Sequence, residues 1–316
     1  MYRTLKIFSS LAVAVLLAAT TSGSQQTTLR WHFEAGQEHV YRMTMVSETD
    51  MPGGQGMVVS ENVQALRWEV IDVSDAGDAT VRMTTERVQM KMSGPMANLD
   101  VDSASQEPST DPMARVLTAM AGTSYTVVFG AGGELKDVQG IDEMRAAIRE
   151  AVPPETATML DQMLDSTLSD ESIRSMIQQG FQPFPEGSVG PGDSWEVSAT
   201  MSIPIMGTMT TSMALTFDHI ERRNGSSIAV IHSTGTIVTS PDQQAAGPDA
   251  GMTSLGAMME MGDAETIGTM EWDIDRGLLL KNTTSTTMEM TMSMSGRQMV
   301  LGIIVNMTLE LVQDGN

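Results

Sequence analysis

From Met288 to Met294 the chain reads Met-Glu-Met-Thr-Met-Ser-Met, with every even position a methionine and every odd position polar. Only an extended strand puts all four methionines on one face, because its side-chain period is two. A turn at Ser295-Gly296-Arg297-Gln298 follows. Met299, Leu301, Ile303, Val305, Met307, Leu309 and Leu311 then line one face of a return strand, and the opposite face carries Asn306, Thr308 and Glu310 along with Val300 and Ile304. The pattern predicts a long β-hairpin with one buried and one wet face.

The same alternation recurs at Tyr41, Met43 and Met45, and at Met209, Met213, Leu215 and Phe217. Around Thr85 the phase flips, since Val81 and Met83 are odd whereas Val88, Met90 and Met92 are even. One extra residue near Thr85–Arg87 accounts for the flip and predicts a β-bulge. The order of elements also repeats. Residues 36–92 run Gly, aromatic, strand, strand, the turn at Asp75-Ala76-Gly77-Asp78, then strand; residues 192–239 repeat this with Gly192, Trp195 and the turn at Asn224-Gly225. Each copy reaches a small acidic stretch (Asn98–Pro112, Pro241–Asp249) and an Ala/Met-rich segment (Met113–Ala121, Met252–Met261). Each then closes on a Gly-x-Leu hairpin turn, Gly133-Glu134-Leu135 or Gly277-Leu278-Leu279.

Between the copies the period changes to that of a helix. Ile141, Met144, Ile148 and Val152 share one face, and Pro153-Pro154 interrupts. Met159, Leu160, Met163, Leu164 and Leu168 form a second stripe. Ser169 is placed to cap a third helix carrying Ile173, Met176 and Ile177, which Gly180 ends. One-sided strands need a cover and amphipathic helices need an apolar floor. The expected fold is therefore mainly β: a curved antiparallel sheet or half-barrel, built from two related halves and covered by a central helical segment. The expected divisions are residues 1–24 as a signal peptide, 25–139 as repeat 1, 140–181 as a helical insertion or lid, and 182–316 as repeat 2 with the C-terminal hairpin.

The signal is read from Arg3 and Lys6, an uncharged apolar run over 7–19, and small residues including Ser22 and Ser24. A run of that length is short of the roughly 20 helical residues that span a bilayer. The expectation is export to the periplasm or beyond, with an uncleaved anchor as the alternative. The chain has no Cys, which removes thiolate chemistry and lipid attachment through an N-terminal Cys. Its net charge of −22 becomes −24 without Arg3 and Lys6. Such a surface disfavours nucleic acid and anionic membranes alike. It fits a saline habitat or simply a soluble protein. Methionine is abundant at 30 residues, against 4 Trp, 3 Tyr and 6 Phe, so thioethers fill positions that Phe or Leu usually takes.

Two segments look familiar. Leu29-Arg30-Trp31-His32-Phe33-Glu34-Ala35-Gly36-Gln37, continuing to Tyr41, resembles the opening of a family of exported bacterial proteins of unknown function common in planctomycetes. Pro183-Phe184-Pro185-Glu186-Gly187-Ser188-Val189-Gly190-Pro191-Gly192-Asp193-Ser194-Trp195 resembles that family's mid-chain segment. The resemblance implies no activity and no site residues. At fold level, a half-barrel with a helical lid also resembles periplasmic lipoprotein carriers.

Catalytic signatures are weak. Gly192-Asp193-Ser194 resembles a lipase nucleophile block, but it precedes a strand in mid-chain and no Asp-x-x-His follows, so it reads as a turn into Trp195. His32, His39, His219 and His232 lack metal-ligand spacing, and His32 reads as a strand residue on a polar face. Gly130-Ala131-Gly132-Gly133 is too short for a phosphate cradle. The scattered carboxylates favour no glycosidase pair. No enzyme activity and no cofactor are expected. The sequence points instead to a hydrophobic small molecule or an envelope protein, bound in a concavity lined by Met288, Met290, Met292, Met294, Met144, Ile148, Met159 and Met163. The alternatives are a structural or interaction module of the envelope and a Cu(I)-binding protein that uses the soft methionine thioethers. Plain core filling is the bland reading of the same methionines.

Overall fold

The computed structural model describes residues 26–51, 56–95, 98–105, 112–150, 173–175, 177–178, 184–203, 207–240, 259–294 and 297–315. The signal segment, the helical stripe over 159–168 and positions 295–296 of the expected 295–298 turn lie outside these residues, while Arg297 and Gln298 of that turn belong to the last strand, paired with Met294 and Ser293.

The first half holds β1 (Glu38–Met51), β2 (Gly56–Val73), β3 (Ala79–Ser93), β4 (Asn98–Asp102), α1 (Pro112–Met120), β5 (Ser124–Phe129), β6 (Leu135–Gln139) and α2 (Ile141–Glu150). The second holds β7 (Ser194–Ile203), β8 (Gly207–Arg223), β9 (Ser226–Ser240), β10 (Met259–Met261), β11 (Ala264–Asp273), β12 (Leu278–Met294) and β13 (Arg297–Gly315). All thirteen strands join one antiparallel sheet in the order β6-β5-β3-β2-β1-β13-β12-β11-β9-β8-β7, with β4 paired to β3 and β10 to β12. The predicted hairpin is β12–β13, with Met288 opposite Ile303, Met290 opposite Leu301 and Met292 opposite Met299. The predicted bulge is present too: Ala65 faces Arg87 and Leu66 faces Thr85, which leaves Glu86 as the extra residue.

The two halves match in detail. The order β6-β5-β3-β2-β1 is repeated by β12-β11-β9-β8-β7, and β13 is the strand between them. Gly36 N–H donates to Val70 C=O (2.8 Å) and Val70 N–H to Gln37 C=O (2.9 Å). Gly192 N–H likewise donates to Phe217 C=O (2.7 Å) and Phe217 N–H to Asp193 C=O (2.9 Å). One step beyond Val70 and Phe217 both copies carry a bulge, at Ile71 and at Asp218. Both final hairpins carry another, at Lys136 and at Leu280, beside the equivalent aromatics Phe129 and Trp272.

The tight core sits at the end of the sheet where these turns gather. Tyr41, Trp68, Val81, Phe129, Phe217, Ile231 and Trp272 are buried there, joined by Leu29 and Val189. Ile141, Met144 and Ile148 of α2, together with Ile173 and Ile177, bury their apolar sides in the same core. Arg174 donates to Asp137 of β6 (2.8 Å), which ties the helical segment to the sheet. The segment after Leu29 threads between the halves. Trp31 meets Trp272 edge-on at 4.6 Å, and Phe33 stacks on Phe129 at 5.8 Å. His32 belongs to this exposed connection, not to a strand. Gly130–Gly133 forms the β5–β6 turn, and Gly192-Asp193 the turn into β7.

Candidate functional site

Antiparallel register fixes which side chains share a face. Tyr41 marks the core side of β1, so Met43 and Met45 lie on that side. Across the neighbouring strands, Met43 stands opposite Gln64 and Leu309, and Met45 opposite Asn62 and Met307. Further along, Asn62 pairs with Met90 and Ser60 with Met92 on β3. On the other side, Leu309, Met307 and Val305 pair with Asn282, Thr284 and Thr286 of β12. The same face therefore runs without a break from the sealed core towards the far end of the strands.

Its environment changes along the way. Tyr41, Val81, Phe217 and Ile231 are fully shielded, whereas Met43, Met90, Met92, Ile303, Val305 and Met307 are half-buried and Met45 is 38 % exposed. Val88, Val101 and Leu301 are buried islands within this more open part. Polar rows on β2 (Ser60, Asn62, Gln64) and β12 (Asn282, Thr284, Thr286) interrupt it, and within them Gln64 donates to Asn62 (3.0 Å) and Thr286 to Thr266 (3.1 Å). The farthest part is the richest in sulfur. Met288, Met290 and Met292 lie there, with Met299 opposite Met292 and Met261 opposite Met290.

The expected site residues divide accordingly. Met288, Met290 and Met292 lie together, half-buried, on the inner face of β12. Met294 follows in β12 opposite Arg297, but its side chain lies outside the described set. Met144 and Ile148 belong to the core beneath α2, whose packing is on α1 and β5. They are thus in the sealed part of the face, not beside the β12 methionines. Met159 and Met163 lie outside the described residues. The sequence-based set omitted Met261, Met299, Met307, Met45 and Met90. Strand parity was the signal for them, but it needed the pairing of β1, β3, β10 and β13 to place them together.

The opposite face is different. In β12 and β13 it presents Thr283, Ser285, Thr287, Asn306 and Thr308, and the exposed Ile267, Val300 and Ile304 stand singly among such residues. Isolated exposed aliphatics of this kind are ordinary surface.

A polar cluster closes the core end. His39 is buried and its Nδ1 lies 3.1 Å from Asp314 Oδ1. Arg276 donates to the other oxygen of Asp314. Asp273 accepts from the backbone N–H groups of Asp275 and Arg276 at 3.1 Å each, and Asp275 accepts from Ser227 N–H (2.7 Å). Burial holds the His39 pKa below its ordinary value, although Asp314 opposes the shift. Burial also pushes the Tyr41 phenol far up, and its hydroxyl donates to Leu279 C=O (3.0 Å). His39, Asp273, Asp275, Arg276 and Asp314 flank a recess of about 650 Å³. Their hydrogen bonds tie β1, β13 and two turns together. Among the described residues no group of three or more His, Asp or Glu is arranged to hold a metal ion.

A one-sheet, mainly β architecture thus defines the class. The chain belongs to a family of unknown function, DUF6263, whose model matches residues 76–301. No curated relative matches it. Among solved structures it is similar to DynF from the dynemicin biosynthesis pathway of Micromonospora chersina (7 % identity, 98 % of this chain, 94 % of that chain, TM-score 0.22). It is also similar to the COG4313 outer membrane channel of Pseudomonas putida F1 (8 %, 89 %, 97 %, TM-score 0.20). A third is a domain named for outer membrane lipoprotein sorting from Vibrio parahaemolyticus (10 %, 87 %, 84 %, TM-score 0.14). At these TM-scores the likenesses carry no argument. No helix among the described residues is long and apolar enough to cross a membrane.

Proposed function

We propose that this is an exported, non-enzymatic protein that holds a hydrophobic molecule on the open part of its inner sheet face. One observation carries the reading: the face that is sealed around Tyr41 and Phe217 continues as half-buried Met43, Met90, Val305 and Met307. A face needed only for stability gains most when fully covered, because burial stabilises in proportion to apolar area removed from water. Methionine suits a ligand of variable shape, since its unbranched thioether chain adapts to irregular surfaces. Export is supported by the basic start and the apolar run over 7–19. The non-enzymatic reading is supported by the polar cluster around His39, whose groups are engaged in joining strands and turns.

The test is displacement of a fluorescent fatty-acid probe from the purified protein, with native mass spectrometry after exposure to a lipid extract. Saturable binding is expected, weakened about tenfold or more by Met307→Glu, which sets a carboxylate in the apolar face. A folded wild-type protein that takes up neither probe nor lipid would overturn the proposal.

A further inference from the structure

We propose that the far end of the inner face also forms a Cu(I) site built from the thioethers of Met290, Met292, Met299 and Met261. The proposal stands apart from hydrophobic binding, which uses the rows nearer the core. Met292 lies directly opposite Met299 on β13, and Met290 directly opposite Met261 on β10. Residues so paired have Cβ atoms roughly 4.5–5.5 Å apart. Met290 and Met292 are two residues apart on one face, about 6.8 Å along the strand. Each sulfur sits on a flexible arm with three rotatable bonds. Three sulfurs from adjacent strands therefore reach a common point with the backbone unchanged.

The chemistry of the donors selects the ion. Thioethers are soft and neutral, and they favour Cu(I) over Zn²⁺, Mg²⁺ or Ca²⁺. All four residues are half-buried, so the patch is shielded without being closed. Apolar filling alone does not call for sulfur here, because Leu301 and Ile303 occupy neighbouring positions of the same face as hydrocarbons. On β12 the inward positions change from Asn282, Thr284 and Thr286 to Met288, Met290 and Met292, so every apolar residue in that series is a thioether. The strongly negative chain adds a general attraction for cations.

The experiment uses the folded full chain under anaerobic, reducing conditions, with Cu(I) supplied from a chromophoric chelator. The expected result is withdrawal of one equivalent of Cu(I). The triple substitution Met290→Leu, Met292→Leu, Met299→Leu keeps side-chain volume and apolarity but removes the ligands. It should weaken Cu(I) binding by about 100-fold or more, because direct donors are lost. Fatty-acid probe binding by the same variant should stay within about twofold, since Leu and Met are near-equivalent in apolar packing. That second readout separates failure of the metal site from failure of the hydrophobic one, and it shows that the variant is folded. A wild type that withdraws no stoichiometric copper, or a triple variant with wild-type affinity, overturns the proposal.

Discussion

At the residue scale, two glycines and one histidine hold the ends of the fold to unusual terms. Gly133 and Gly277 close equivalent hairpins with φ of +88° and +60°, which disfavours any side chain. Both also press on the segment after Leu29. A Cβ on Gly133 would lie 2.5 Å from the Trp31 ring, and one on Gly277 would lie 2.6 Å from Arg30 C=O. The Gly-x-Leu signature was legible in sequence as a turn, but the reason for its glycine was not, because the neighbour comes from more than a hundred residues earlier in both copies. Gly133→Ala is expected to destabilise by about 2 kcal/mol or more, from backbone strain plus displacement of Trp31. A thermal or urea melt against Gly36→Ala checks this, because Gly36 has similar φ but open space around it. His39 sets a pH dependence. Its folded pKa lies below 6.5, so the unfolded chain takes up a proton first as pH falls. The stability associated with neutral His39 is complete above about pH 6.5 and declines below it. Loss from the carboxylates held low, such as Asp137 and Asp218, belongs to pH values below their ordinary 3.8. Urea midpoints should therefore drop between pH 7 and pH 5, and less steeply in His39→Gln. An unchanged slope in that variant would place the pH dependence elsewhere.

At the element scale, legibility followed alternation. The β12–β13 hairpin and the Glu86 bulge could be read because apolar residues mark their phase over many positions. The bulges at Ile71, Asp218, Lys136 and Leu280 were not legible. Each falls within a few residues of a strand end, where too few alternating positions remain to reveal a phase change. β4 arose within the first acidic stretch, Asn98–Pro112, whose composition suggested only a connection. Its pairing with β3 supplies what composition did not, burying Val101 opposite Met90. For the candidate site, the methionines on each strand could be assigned to a face from sequence. How deeply each is covered could not, since Met43 and Tyr41 occupy one face of one strand and differ only in what neighbouring strands and helices place over them. Met144 and Ile148 show the same limit: an amphipathic helix must bury a face, but sequence does not say against which end of the sheet.

At the scale of the whole molecule, the two halves expected from sequence meet through one strand, β13. The repeated order of turns was legible, but the role of β13 was not, because its apolar face serves as well for a terminal hairpin as for a joint. In the sheet, β13 pairs with β12 on one side and with β1 on the other, from Glu38 opposite Gly315 to Asp50 opposite Gly302. The joint also carries the polar contact between His39 and Asp314. Trp31 and Phe33 add a second tie, since they pack on Trp272 of one half and Phe129 of the other. A fragment ending after α2 would leave β1 as an unpaired edge of 14 residues with Met43 and Met45 beside it. An edge that long and apolar invites association with other chains. The full chain is therefore expected to unfold in one transition, with far-UV circular dichroism and tryptophan fluorescence coinciding. The fragment 26–150 should fail to form a cooperative monomer. Two resolved transitions in the full chain, or a fragment that melts cooperatively by itself, would mean that β13 joins two independent domains and does not fuse them into one.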